Sequence, residues 1–282
     1  TYNANLIVDS VTAQAETILA NRLAPLGLFS TDFSSDVRKP KETIQVKLAT
    51  AGSTTQVNPS SFNSIGGSTV GAAPVELNHV YQPFGLEYSD LQLNRRLEDI
   101  TQINLDALAD KIWELATAPI TVANFGAATV TKADSGVTPT SGDLAKLWAA
   151  ISKSQDKGLV VNPGIYSNLI PTNALSLSLT EGAYGFNRGV YFASQFPSEA
   201  KLAGFAVDRR AVAVASAQPA MAGFRENMIA SSAIAIPALG GLTVYFNLWA
   251  DNITRSHVAS FELMFGAGKG LTTGTLASIY NP

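Results

Sequence analysis

The sequence predicts an α+β fold, and three observations carry this prediction. Residues 97–118 place apolar side chains at helical spacing, which predicts one long helix. Residues 43–48 and 75–81 alternate apolar and polar side chains, the period of strands with one buried face. Residues 242–249 and 254–265 favour a late pair of long strands, because a polar turn separates them.

The composition limits the class of protein. Only 15% of the 282 residues are charged, whereas about a quarter is usual in soluble domains, so we expect either a partner-covered surface or an ordinary surface rich in Ser, Thr and Asn. The formal net charge of −3 gives no basic field for nucleic acid. The lack of cysteine excludes disulfides and thiolate sites. No apolar run approaches the ~20 residues of a membrane span, and the first residues lack signal-peptide features, so we expect no membrane partner.

The first two predicted segments are an N-terminal arm, residues 1–42, and a long two-stranded excursion, residues 43–83. The arm begins with a helical pattern that Pro25 and Gly27 end, and residues 31–41 are expected to be polar and irregular. The excursion carries no charged residue between its two arms. Because a lone hairpin is marginal in water, we expect it to rest on something else, such as another copy of the chain.

The next segment, residues 84–138, holds the long helix, with Asn94 as its expected N-cap. A short strand at 120–125 and a loop at 126–139 are expected after it. Two of the later segments are residues 236–265, which hold the late strands, and residues 266–282, which are expected to be a short tail.

Residues 139–235 are predicted to form a mixed segment. A second helix is expected over 143–157, and a buried strand followed by a short helix over 158–169, with Pro163 in the first helical turn. Residues 211–215 are a small-residue strand suited to a crowded sheet centre.

The sequence offers poor material for catalysis, and we expect no enzyme, cofactor or metal site. His79 and His257 fall on separate strands without a nearby acidic cluster, which is a weak case for a metal. The run after Gly266 looks superficially like a phosphate loop, but Lys269 is followed by Gly270 instead of Ser or Thr. No nucleophile elbow occurs. Arg209-Arg210 beside Asp208 is expected to be an ordinary charged strand entry, with pairing to a neighbouring subunit as the alternative.

The order of these elements resembles the major capsid proteins of tailed bacteriophages, which have the HK97-like fold, over essentially the whole chain. Two stretches are similar to recurrent capsid elements, GLVVNPGIYSNL from Gly158 and GFAVDRRAVAVA from Gly204. The resemblance implies that the excursion is an E-loop and that helix 97–118 is a spine helix. It also implies an axial domain over 139–235 and a peripheral domain that includes the late strands.

The resemblance implies a virion protein that self-assembles into an icosahedral capsid. Hexamers and pentamers would form, with each E-loop lying over a neighbouring subunit. Further implied partners are packaged double-stranded DNA, held by weak contact, together with scaffold, portal and cement proteins during assembly in the host cytoplasm. Because the uncharged tip holds no Lys, we expect no Lys–Asn crosslink. The candidate subunit-interface residues are Thr54, Gln56, Phe62, Ile65, Val70, His79, Asp251, Asn252 and Arg255.

Three alternatives stay open at this point. An encapsulin-like shell shares the fold but encloses protein cargo. A tail-tube or adhesin protein would also be β-rich and low in charge, although the long helix at 97–118 argues against it. A hydrolase would need a pair of catalytic carboxylates in a cleft, and the sequence nominates none.

Overall fold

The computed structural model describes residues 4–49, 70–86, 94–131, 139–152, 156–169, 185–193, 196, 201–220, 228–251 and 256–280. Its helices are α1 (Ala4–Arg22), α2 (Asn94–Thr117), α3 (Val122–Phe125), α4 (Ser141–Ala150) and α5 (Pro163–Leu169), with 3-10 turns at Ala24–Leu28 and Pro237–Leu239. No helix within these ranges is both long and apolar enough to cross a membrane.

The strands form two larger sheets and one hairpin. They are β1 (Ser30–Arg38), β2 (Thr43–Ala49), β3 (Val70–Glu76), β4 (Asn78–Leu86), β5 (Val130–Thr131), β6 (Lys157–Val161), β7 (Val190–Phe192), β8 (Leu202–Asp208), β9 (Val212–Pro219), β10 (Met228–Ile236), β11 (Leu242–Asp251), β12 (Ser256–Lys269) and β13 (Leu276–Tyr280). The main sheet has the order β1-β9-β12-β11-β10, with β4 also paired to β12, and the second sheet has the order β5-β13-β8-β6-β7. The hairpin is β2-β3.

The main sheet has a helix-covered face, formed where α1 and α2 pack against it. Helix α2 buries Leu105, Leu108 and Ile112 in the core that also contains Phe246 and Phe261. Removing such side chains from water is the dominant favourable contribution to folding, so this face holds the principal core. The hairpin lies over part of the opposite face, which we call the hairpin face.

The second sheet is formed by β5, β13, β8, β6 and β7. Its strands β6, β8 and β13 are buried along their length. Helix α4 begins with a capping box, in which Thr140 and Asp143 exchange side-chain-to-backbone hydrogen bonds, and such a box fixes a helix start. Leu144, Leu147 and Ile151 then pack against the sheet.

The long helix, the two late strands and the strand-then-helix unit at β6–α5 are confirmed, with shifted boundaries. Helix α2 begins at Asn94, so Asn94 is its first residue and not a cap before Leu97. Ile103, one of the apolar residues at helical spacing in 97–118, is 69% exposed. The second predicted helix ends at Ala150, and Lys157 starts a strand.

Three expectations about local structure are wrong. Residues 31–41 are mostly strand β1, which pairs in parallel with β9; its polar pattern reflects its place at a sheet edge. The predicted strand at 120–125 is helix α3, where the Thr121 side chain accepts from the Asn124 amide as an N-cap. The expected tail at 266–282 continues β12 to Lys269 and then supplies β13 to the second sheet.

Candidate assembly surfaces

The hairpin β2-β3 rests on the chain's own main sheet. Its strands pair from Thr43 with Glu76 to Ala49 with Val70. Its apolar side chains pack on a row of small and flexible residues of β9 and β12; the cluster contains Val46, Leu48, Ala73, Val75, Leu77, Ala213, Ala215, Ala217 and Met264. The expected support for the excursion is therefore supplied, at its base, by the same subunit.

Glycines in β12 let the hairpin backbone approach closely. A Cβ atom added at Gly266 would overlap the carbonyl oxygen of Glu76, and one at Gly268 would overlap that of Pro74. Glycine is the residue that permits such backbone contact. Gly266 and Gly268, in the run that looks like a phosphate loop, lie within strand β12. They form the surface on which the backbone of β3 packs.

A chain of polar side chains crosses four strands of the hairpin face beside the hairpin. His79 Nε2 on β4 lies 2.8 Å from Glu262 Oε2 on β12. The Asn247 side-chain amide on β11 donates to Glu262 Oε1. Ser231 Oγ on β10 donates to Asn247 Oδ1 at 2.7 Å. We call these four residues the polar row.

Glu262 is the centre of the polar row, since its side chain is only 5% exposed and contacts two partners. A buried carboxylate is retained only when such partners are present. Tyr81 and Tyr245 lie directly across from Glu262 on the neighbouring strands. Burial and then the Glu262 charge raise the pKa of Tyr81, and burial raises the pKa of Tyr245, so both phenols stay protonated near neutral pH.

A second polar cluster fixes α4 to the second sheet. Lys157 Nζ donates to the Trp148 carbonyl oxygen at 2.6 Å and lies 3.5 Å from the centre of the Trp148 ring. Burial lowers the pKa of Lys157, and Asp208 partly opposes this shift. Arg210 holds Asp208 at 2.7 Å, and its hydrogen bond to Asp208 is the main cause of its raised pKa.

The structure describes three of the predicted interface residues and separates them. Val70 is the first residue of β3. His79 lies in β4, opposite Met264 in the main sheet, and not in the hairpin. Asp251 is the last residue of β11. Thr54, Gln56, Phe62, Ile65, Asn252 and Arg255 lie outside the described residues.

Most of the polar row was missed by sequence reasoning. Only His79 was singled out, whereas Ser231, Asn247 and Glu262 were not. A signal was available, because Glu262 is a lone charge between Phe261 and Leu263 in an apolar strand. Within the described part of the chain, no group of three or more acidic or histidine side chains could hold a metal ion.

Comparison with solved structures identifies the fold. A virus-like particle from Pyrococcus furiosus is similar over 96% of this chain and 98% of its own, with a TM-score of 0.56 and 10% identity. Mycobacterium phage Adephagia (TM-score 0.51, 14% identity) and Mycobacterium phage Bobi (TM-score 0.51, 12% identity) are each similar over 92% of this chain and 90% of their own. The chain shares the fold of these phage and particle structures. No family model and no curated protein matches it.

These likenesses confirm, at the level of the fold, the predicted resemblance to bacteriophage proteins. They also confirm a mixed α+β chain. The assignment of the hairpin as an E-loop, of α2 as a spine helix, and of the peripheral and axial domains stays a prediction.

Proposed function

We propose that this chain is the major capsid protein of a tailed bacteriophage and acts by self-assembly into an icosahedral shell around DNA. The observation that supports this best is the extent of the likeness to phage structures, which takes in 92% of the chain and 90% of each of two Mycobacterium phage structures. Little of the chain lies outside the shared fold. Fold alone does not establish function, so the proposal needs a direct test.

The surface chemistry is compatible with repeated subunit contacts. Residues 48–75 carry no charged side chain, so burying that stretch against a neighbour desolvates no charge. Its base is seated on β9 and β12 by apolar packing, which gives the excursion a fixed origin on its own subunit. In this proposal the hairpin is the E-loop, α2 is the spine helix, and the candidate interface residues contact a neighbouring copy.

The proposed location is the virion, after assembly in the host cytoplasm. Hexamers and pentamers of this chain form the wall, and the near-neutral subunit contacts packaged DNA weakly. Scaffold, portal and cement proteins are the further partners of the proposal.

Electron microscopy of the purified chain tests the assignment. We expect closed icosahedral shells, and a chain that stays monomeric under every assembly condition would contradict the assignment.

The second candidate is an encapsulin-like shell, which the likeness to an archaeal virus-like particle favours. Particles isolated from the natural source separate the two, since nuclease-protected DNA supports a phage capsid and a packaged protein supports the alternative.

A hairpin-shortened variant tests the proposed arm. Because β2 ends at Ala49 and β3 begins at Val70, residues 50–69 can be replaced by Asn-Gly, which favours a two-residue hairpin turn. We expect the subunit to fold with unchanged circular dichroism but to form few or fragile shells. Shells as robust as those of the unaltered chain would show that residues 50–69 make no required contact.

A further inference from the structure

The main sheet ends in three outer strands, and one of them lacks the usual protection against strand pairing. Among the described strands, the outer ones are β1, β4 and β10, since β4 pairs only with β12. Strand β4 carries Pro83, and proline is one such protection. Strand β1 carries Asp32, Asp36 and Arg38, and its register shifts between Phe33 and Val37. Charged side chains and irregular registers are devices that prevent an edge from adding another strand. Strand β10 carries neither a charged residue nor proline over nine residues, MIASSAIAI.

The side chains of β10 leave its edge flat on the hairpin face. Ile234 and Ile236 are buried in the principal core on the helix-covered face. Ser231, Ala233 and Ala235 alternate with them and are exposed, and Ile229 is 40% exposed. The register of β10 with β11 shifts between Met228 and Ala230 and is regular from Ala230 to Ile236. Small exposed side chains along that regular part leave the edge backbone groups open to a partner strand.

We propose that β10 pairs in an antiparallel manner with β10 of a second copy, across a two-fold axis perpendicular to the sheet. This inference rests on the proposed self-assembly. In such an isologous contact the same residues meet from both sides, so any charge near the axis would face its own like charge, which is destabilising. A strand that pairs with itself is therefore expected to be neutral close to the axis, whereas a strand that pairs with a different partner can carry complementary charges at any position. The lack of charged residues in β10 is therefore consistent with pairing to β10 of a second copy of the chain.

The direction of the two-fold axis is also consistent with the two different faces of the sheet. A two-fold axis perpendicular to the sheet keeps each face on its own side, so the helix-covered faces of both copies lie together and the hairpin faces lie together. Residues directly opposite in antiparallel strands share a face and have Cα atoms about 4.5–5.5 Å apart. That separation lies within the range of a disulfide, which makes the contact measurable.

Single-cysteine variants test the pairing, because the chain has no cysteine of its own. Ser231→Cys, Ser232→Cys and Ala233→Cys each place one thiol near the middle of β10, and Ser35→Cys places one on the exposed part of β1. After mild oxidation of assembled protein, we expect a disulfide-linked dimer that is strongest at the residue on the axis and falls off along the strand. The β1 variant should give only background dimer. No dimer from any β10 variant, or an equal yield from β1, overturns the pairing.

A charge placed on the edge provides the second test. Ala233→Lys sets two like charges near the axis, and Ser35→Lys places the same charge on the protected edge. We expect the β10 variant to lose assembly while its thermal unfolding matches that of the β1 variant, which assembles normally. Equal assembly of the two variants contradicts the proposal.

The same samples, viewed by electron microscopy, separate this inference from the proposed function. Shells without β10 cross-links overturn the pairing and leave the capsid assignment standing. Cross-linked dimers without shells support the pairing and contradict the capsid assignment. Monomers that neither cross-link nor assemble contradict both.

Discussion

The two faces of the main sheet are built from different kinds of side chain. On the helix-covered face, Phe246, Phe261 and Leu263 are fully buried. On the hairpin face, the neighbouring β12 positions are Glu262, which joins the polar row, and Gly266, which meets the backbone of β3. One strand therefore supplies aromatic core on one side and polar or glycine contacts on the other.

The difference shows how folding and association can be divided between the faces of one sheet. Apolar burial is non-directional and stabilises the folded chain. Hydrogen-bonded polar groups add little net stability but fix which geometry forms. The hairpin face retains half-exposed polar groups such as Tyr81 and His79, so it can meet another chain without first exposing a core.

The largest expected effect comes from removing core on the helix-covered face. Phe261 packs between Phe84 and Phe246, with ring centroids 5.4 and 5.3 Å away. Phe261→Ala should therefore lower the free energy of unfolding by about 3–5 kcal/mol, measured by denaturant titration of the unassembled subunit. Tyr81→Ala on the hairpin face, where 48% of Tyr81 is exposed, should lower it far less. Equal losses would mean that the two faces contribute alike.

The second effect concerns the close contact between β12 and strand β3 of the hairpin. Gly266→Ala adds a Cβ that overlaps the Glu76 carbonyl oxygen, so β3 must shift, and such overpacking costs about 1–3 kcal/mol. Amide hydrogen exchange in β2 and β3 should become faster. The control is Gly85→Ala on β4, whose added Cβ meets nothing within 4 Å. Unchanged exchange in the Gly266 variant would show that β3 does not depend on this close approach.

A comparable or smaller effect is expected from the polar row. Glu262→Met keeps a similar side-chain length but removes both acceptor oxygens, so the buried Asn247 amide loses its acceptor whichever tautomer His79 adopts. A buried donor left without an acceptor costs about 1–3 kcal/mol, and the free energy of unfolding should fall by that order. Glu76→Met, at an exposed position of β3, is the matched control and should change little. An unchanged free energy of unfolding in the Glu262 variant would show that the polar row does not stabilise the subunit.

Elements with a clear periodicity were predictable from the sequence, and the contacts between them were not. Helix α2 and strands β11 and β12 follow from local apolar spacing, which is the main signal that a single sequence contains. Edge strand β1 lacks that spacing because most of its side chains are partly or fully exposed. The glycines of β12 could not be explained locally, because their neighbour, β3, is distant in sequence and meets them only in the folded chain.

The candidate interface shows the same limit in a different form. The returning arm of the excursion was predicted as one strand, but the chain divides it at Leu77 between the hairpin and the main sheet. Alternation continues through both strands, so it carries no information on which partner each one takes. His79 consequently joins a row with Ser231, Asn247 and Glu262 that only the strand register brings together.

The smallest expected effect concerns Lys157, a buried charged residue of the second sheet. It extends the comparison to a charge that lies on neither face of the main sheet. Burial lowers the pKa of Lys157 in the folded chain below the ordinary value of about 10.4. Between these two pKa values the unfolded chain binds more protons than the folded chain, so stability contributed by this group rises with pH. The Lys157→Met variant lacks this dependence, although it also loses the contacts with Trp148.

The readout is therefore a slope and not an absolute stability. The free energy of unfolding of the unaltered chain minus that of Lys157→Met should increase as the pH rises toward the ordinary lysine pKa and level off above it. Tyr81 and Tyr245, whose raised pKa values lower stability as the pH passes about 10, occur in both proteins and cancel in the difference. Lys201→Met, at an exposed position, is the control for the loss of one lysine side chain. A flat difference for Lys157→Met would mean that this ammonium group is as well solvated in the folded chain as in the unfolded one.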